Sequence, residues 1–205
     1  MSEPIFTSAH AAVTFALNFT MQQYDRPLMN KLAAGRIAGG EGKGLSGMDG
    51  AGQAGMVRER LSTLPVLHQA VLVSRCAPAL LPCACGAPCC TGKMPNFEWQ
   101  AAVRMVADHA ERDALSGCSV HRGLTLDLLA RLFGKDIAIG DAADKAGVSH
   151  NTATNHLSRL RLWLRGESKG RKGQPARIGV EQMAMAATEN VLTTAGMVGI
   201  VPTPI

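Results

Sequence analysis

Two sets of side chains in this 205-residue chain carry types and spacings that could do chemistry. The first is a run of cysteines, Cys83, Cys85, Cys89 and Cys90, in the pattern C-x-C-x3-C-C, with Cys76 and Cys118 outside it. Zinc takes four tetrahedral thiolate or imidazole ligands. The usual spacing is a pair of C-x2-C knuckles, so Cys83-x-Cys85 is short, and adjacent cysteines such as Cys89 and Cys90 rarely both reach one ion. Three readings stand side by side. One is a structural zinc held by some of these four, with Cys76 or a histidine able to join. Another is a compact turn whose reduced thiols pack as small hydrophobes. The last is a redox or catalytic thiol. Pro82 and Pro88 stiffen the segment, and Gly86 and Gly92 permit tight turns.

The second set is Ser149, His150, Asn151, Thr152, Thr154, Asn155, Ser158 and Arg159. These are short hydrogen-bonding side chains with one Arg, not the Glu/Lys mixture of a merely solvated helix. Asn pairs bidentately with adenine and Arg with guanine, and a Thr methyl meets a thymine methyl. On this reading Asn151, Thr152, Asn155 and Arg159 face base edges, and Ser149 and His150 lie near the backbone. A basic run follows: Arg161, Arg165, Lys169, Arg171, Lys172 and Arg177, opposed between positions 159 and 177 by Glu167 alone. Such a run suits phosphate contacts, which supply affinity and register but no sequence information. A solvated linker is the alternative.

These side chains need a scaffold. The residues from Asp141 to Ala146 read as a helix, Gly147 as a turn of positive φ, and Ser149 as the cap of a second helix. That helix sets Ala153, Leu157 and Leu160 on its inner face, with Ala143 small where the two helices approach. This is the layout of a helix-turn-helix; an ordinary αα-corner is the alternative. Gly147-Val148-Ser149 and the stretch from Thr152 to Leu160 resemble the helix-turn-helix of LuxR-type regulators and of sigma-factor region 4. The resemblance covers about positions 124–166. It departs at Ala153, where the family usually carries Val or Ile. It implies binding to promoter DNA beside RNA polymerase. Taken with the segment Pro82-Cys83-x-Cys85-Gly86-x-Pro88-Cys89-Cys90-x-Gly92, the layout resembles phage antitermination proteins, which join a sigma-like helix-turn-helix to a cysteine-containing segment. That implies a phage-encoded regulator acting in the host cytoplasm, and not an enzyme.

The expected fold class is all-α: a helical bundle with a C-terminal helix-turn-helix and an inserted Cys-rich loop. The expected divisions are an N-terminal helical segment (1–32), a Gly-rich flexible linker (33–55), a helical region with the Cys-rich loop at 76–92 (56–114), the helix-turn-helix domain (115–166), and a basic linker with a C-terminal helix and tail (167–205). Helices are predicted over 8–24, 27–34, 56–74 with a break at Pro65, 96–113 with Trp99, Ala102, Val103, Val106 and Ala110 inward, and 180–195 with Met183, Ala187 and Val191 aligned.

Composition narrows the function. A net charge of +5 and a pI of about 9.1 fit a nucleic-acid partner. Aromatic residues make up only 4%, which argues against a stacking platform for single strands and favours duplex DNA. No apolar run of membrane-spanning length occurs, and the N-terminus lacks a secretory pattern, so a cytoplasmic location is expected. Gly39-Gly40-Glu41-Gly42-Lys43-Gly44 is not a P-loop, because Ile37 stands where the first Gly belongs and Gly44 where Ser or Thr belongs. No Ser/His/Asp set or paired carboxylates emerge. The expected function is a sequence-specific double-stranded DNA-binding transcription regulator of antitermination type. One such motif reads few base pairs, so a homodimer or a partner such as RNA polymerase must add contacts. The alternatives are a recombinase- or nuclease-type enzyme, for which the sole tyrosine, Tyr24, lacks a catalytic context, and an architectural protein-binding module.

Overall fold

The structure, a computed structural model, describes residues 5–19, 48–83, 85, 90–167 and 176–199. Among these residues are eight helices and one two-stranded antiparallel ribbon. The helices are α1 (Ala9–Asn18), α2 (Met48–Ser62), α3 (Val66–Cys76), α4 (Phe97–Asp113), α5 (Arg122–Leu132), α6 (Ile139–Ala146), α7 (His150–Arg165) and α8 (Val180–Thr194); the strands are β1 (Leu80–Pro82) and β2 (Lys93–Pro95). The chain forms two compact units, one of residues 66–184 and one of 1–65 with 185–205.

In the unit of residues 66–184, α4 buries one stripe, Trp99, Ala102, Val103, Val106, Ala107 and Ala110, and packs on α3 and α5. Asn96 caps α4, its Oδ1 accepting from the N–H groups of Glu98 and Trp99, while its Nδ2 donates to the Pro78 carbonyl at 2.8 Å. The buried Trp99 donates its indole N–H to the Ser74 carbonyl at 2.9 Å, which pins α4 to α3. At the centre lies α5. Its Leu124, Leu128 and Leu129 are wholly buried, each stabilising the fold by about 1.5–3 kcal/mol relative to exposure, and it packs on α4, α6 and α7. The C-terminal carbonyl of α5, on Leu132, accepts from Arg75 (3.3 Å) and Arg165 (2.7 Å). Arg75 also forms a bidentate pair with Glu181 on the first turn of α8 and stacks over Phe133.

The second unit packs α1 on α2. Ser8 caps α1 through the N–H of Ala11. The small residues Ala12 and Ala16 let the helices approach, and Val13, Val57 and Leu61 fill the seam. Arg58 Nε donates to the Ala16 carbonyl at 3.2 Å. Phe6 pairs with Val198 in a parallel bridge and packs its ring against that of Phe15 at a tilt of 47°.

The structure corrects the sequence reading at several places. Part of the expected 33–55 linker is helical: α2 starts at Met48 and runs through Gly50, Gly52 and Gly55. Each Gly costs about 1 kcal/mol against Ala inside a helix, but Ala54 and Val57 are buried behind them and offset it. The expected linker's remainder, the 27–34 helix and Gly39 to Gly44 lie outside the described residues, and the first helix ends at Asn18 rather than 24. The division also falls elsewhere than expected. α2 belongs with 1–65, and 66–114 shares one unit with 115–166. Between α4 and α5 the chain turns at Gly117 (φ 77°) before α5 begins at Arg122. α8 forms, but it buries Val180, Ala184, Thr188 and Leu192, while Met183 is exposed, so the inward face is one residue out of the expected phase.

Candidate nucleic-acid interface and thiol cluster

α6 ends in a Schellman motif. Gly147 adopts φ 66°, ψ 31°, and the N–H of Val148 returns to the Ala143 carbonyl at 3.0 Å. Ala142 and Ala143 are buried, as a close helix approach requires. Ser149 then caps α7, its Oγ accepting from Thr152 N–H at 3.2 Å. α7 turns Ala153, His156, Leu157, Leu160 and Leu164 inward. Because α5 packs on both α6 and α7, the turn is held from behind by a third helix.

Outward stand Ser149, His150, Asn151, Thr154, Asn155, Ser158, Arg159 and Arg161, all exposed, with Thr152 half-buried. The Ser149 and Thr152 hydroxyls lie 2.9 Å apart, and Ser158 donates to the Thr154 carbonyl at 3.0 Å. Among the described residues no carboxylate pairs with Arg159 or Arg161, whereas Arg122 is matched by Asp108 and Glu111, Lys145 by Asp127 and Arg75 by Glu181. Of the expected basic run, Arg165 helps cap α5 through Leu132, a structural task. Lys169, Arg171 and Lys172 lie outside the described residues, but the chain on either side of them comes together. Gly166 bridges Ile178, and Glu167 N–H donates to the Arg177 carbonyl at 2.8 Å. The residues that flank the basic segment, Gly166 and Glu167 on one side and Arg177 and Ile178 on the other, therefore meet at the C-terminus of α7.

His156 packs against the scaffold of its helix, as its place in the sequence leads one to expect. His156 is 4% exposed and its Nδ1 has no hydrogen-bond partner. Burial, with the nearby positive charge of His121 and Arg159, holds its imidazole below the usual histidine range. His156 also lines a surface depression on α7 together with Thr152, Asn155, Ser158, Arg159 and Cys118. Cys118 comes from the α4–α5 connection, and no local pattern joins it to α7.

The ribbon positions the thiols. Leu80 pairs with Pro95, Leu81 with Met94 and Pro82 with Lys93, and the N–H of Cys83 donates to the Gly92 carbonyl at 2.9 Å, closing the loop end. Gly92 supplies the positive φ (72°) this closure needs. Cys83, Cys85 and Cys90 then place their Sγ atoms within 4.8 Å of one another, close enough to bind a metal ion. Cys89 lies outside the described residues, and Cys76 is buried in α3, apart from this group. No disulfide joins the described cysteines. The Cys90 thiol is raised above its ordinary value, first by its hydrogen bond with Cys85 and further by Cys83, against a backbone bond from Gly92 that lowers it. Among the described residues no helix is long and apolar enough to cross a membrane. No protein family, no curated protein and no solved structure matches this chain.

Proposed function

We propose that the chain is a sequence-specific, double-stranded DNA-binding transcription regulator in which α6, the Gly147 turn and α7 form a helix-turn-helix and α7 enters the major groove. The observation behind this reading is the α7 surface: Asn151, Thr154, Asn155, Ser158, Arg159 and Arg161 are exposed together, on a helix whose other face is locked to α5 and α6. Asn151 and Asn155 suit adenine edges, and Arg161 suits a phosphate. Action beside RNA polymerase, in the manner of phage antitermination proteins, rests on the resemblance of Gly147 to Leu160 and of the cysteine segment. A second contact, through a homodimer or the polymerase, supplies the base pairs that one recognition helix leaves unread.

The thiol cluster fits a structural zinc. Tetrahedral ligation with zinc–sulfur bonds of about 2.3 Å puts sulfurs about 3.8 Å apart. Cys83, Cys85 and Cys90 reach that with a small contraction of their separation, and zinc would take as thiolates the sulfurs now sharing protons. Such an ion would clamp a ribbon whose side chains, Leu81 aside, are exposed, since an isolated two-stranded ribbon is marginal in water.

The test is selection of duplexes from a random pool by the full chain, followed by binding of the Asn151→Ala and Asn155→Ala variants. A selected consensus that relaxes at one base pair per variant supports groove reading. Recovery of no enriched sequence, or variants that bind every duplex as the wild type does, rejects it.

A further inference from the structure

The depression beside α7 has a polar lining of hydrogen-bonding side chains. Its polar lining consists of the Arg159 guanidinium, the Thr152 and Ser158 hydroxyls, the Asn155 amide and the His156 imidazole, beside the Cys118 thiol, and no carboxylate lines it. The Arg159, Thr152 and Asn155 groups can each donate a hydrogen bond, whereas the Ser158 proton goes to the Thr154 carbonyl. Arg159 pairs with no carboxylate among the described residues. When Ser149 donates to Thr152, the Thr152 proton is left for another acceptor. His156 also lines the depression; it is buried, and its Nδ1 has no partner and is closed to solvent.

Position on the helix says which ligand this lining meets. At 100° per residue, Asn151, Asn155 and Ser158 form the outward crest of α7, while Thr152, Arg159 and His156 lie on one flank, turned toward Cys118. An α-helix with side chains is about 10–12 Å across and the major groove about 12 Å wide. A helix whose crest meets the bases must therefore press its flanks against the sugar–phosphate walls.

We propose, building on the DNA-binding reading, that this depression seats one phosphate. Arg159 and Thr152 grip it, with the buried His156 beside them. Arg159 is then a register-setting residue and not the reader of guanine its type suggests, and base reading falls to Asn151 and Asn155.

The experiment scans a selected duplex with single methylphosphonate substitutions, which remove one backbone charge at a time, against the wild-type full chain and the Thr152→Val and Arg159→Gln variants. His156→Gln is read alongside, with Thr152→Val as the milder change should that variant fold poorly. In the wild type one backbone position should cost roughly tenfold in affinity, and that penalty should shrink below about threefold in the variants at that position alone. Duplex binding in which every variant keeps the same penalty at every position overturns the seat and leaves the DNA reading standing. If the wild type binds no duplex, the DNA reading fails and inorganic phosphate becomes the probe. Displacement of the His156 imidazole resonances by millimolar phosphate then supports an oxyanion seat for a smaller ligand, and unmoved resonances overturn it.

Discussion

Gly166 and Gly179 let the chain after α7 touch the chain entering α8, and replacing either by Ala should loosen the end of α7. A Cβ on Gly166 would lie 2.1 Å from the Arg177 carbonyl oxygen and 2.6 Å from the Gly179 nitrogen; one on Gly179 would lie 2.4 Å from both the Arg165 carbonyl carbon and the Gly166 nitrogen. These neighbours are backbone and cannot swing aside as a side-chain tip could. Gly166 also holds φ 71° with ψ −166°, a region that is almost wholly glycine's. Gly166→Ala therefore combines conformational strain of about 1–3 kcal/mol with separation of the two segments, which breaks the 2.8 Å bond from Glu167 to Arg177 at about 1 kcal/mol. The sum is about 3 kcal/mol. Gly179→Ala carries the steric part alone, about 1–3 kcal/mol by the measure of an overpacked core. Gly147→Ala is the control. Its φ is also positive, but a Cβ there meets nothing within 4 Å, so the cost is the left-handed conformation alone, about 1 kcal/mol. Both tryptophans, Trp99 and Trp163, lie in the unit of residues 66–184, so their fluorescence in a urea titration follows that unit. The expected order of destabilisation is Gly166, then Gly179, then Gly147. Gly166→Ala and Gly179→Ala variants as stable as wild type, or more stable than Gly147→Ala, would refute the close approach.

Three further outcomes are expected. Protein purified without added metal should carry about one zinc per chain by native mass spectrometry, Cys83→Ser and Cys90→Ser should each lose it, and a chelator should speed amide exchange in β1 and β2; a metal content near zero in the wild type removes the site. Arg161→Ala should weaken binding to all duplexes alike and reduce the slope of log affinity against log salt by about 1, so an unchanged slope would take Arg161 off the phosphates. The folded-state pKa of His156 is lowered, so the unfolded chain binds its proton first. Stability should be whole above about pH 6.5, fall as pH drops toward the folded value, and level off beneath it, by no more than about 1.4 kcal/mol per pH unit. His156→Gln should remove that part of the slope seen in urea titrations at successive pH values, and a profile identical to wild type would mean the imidazole is not desolvated.

What could be read without coordinates was whatever short-range rules determine. Gly147, Ser149 and the inward spacing of Ala153, Leu157 and Leu160 each act within one or two helical turns, and the structure places all of them as expected. Where two local readings were equally good, tertiary packing decided. α8 offers an Ala- and Met-rich surface in more than one phase, and the phase that buries Thr188 prevails over the one that would bury Met183. The glycines of 50–55 signal a linker locally, but Ala54 and Val57 are buried, and that outweighs propensity. Non-local approach was invisible. Nothing near Gly166 announces Gly179, and nothing near Cys118 announces His156. This division bears on function. If α7 is the proposed recognition helix, the residues that would meet the bases are consecutive and local. On that reading, how α7 would be set against the DNA backbone depends on the flank it shares with the α4–α5 connection and on the Gly166–Gly179 closure at its C-terminus. Register and affinity should therefore respond to substitutions at Cys118, Gly166 and Gly179, which touch no base, while sequence preference should respond to Asn151 and Asn155.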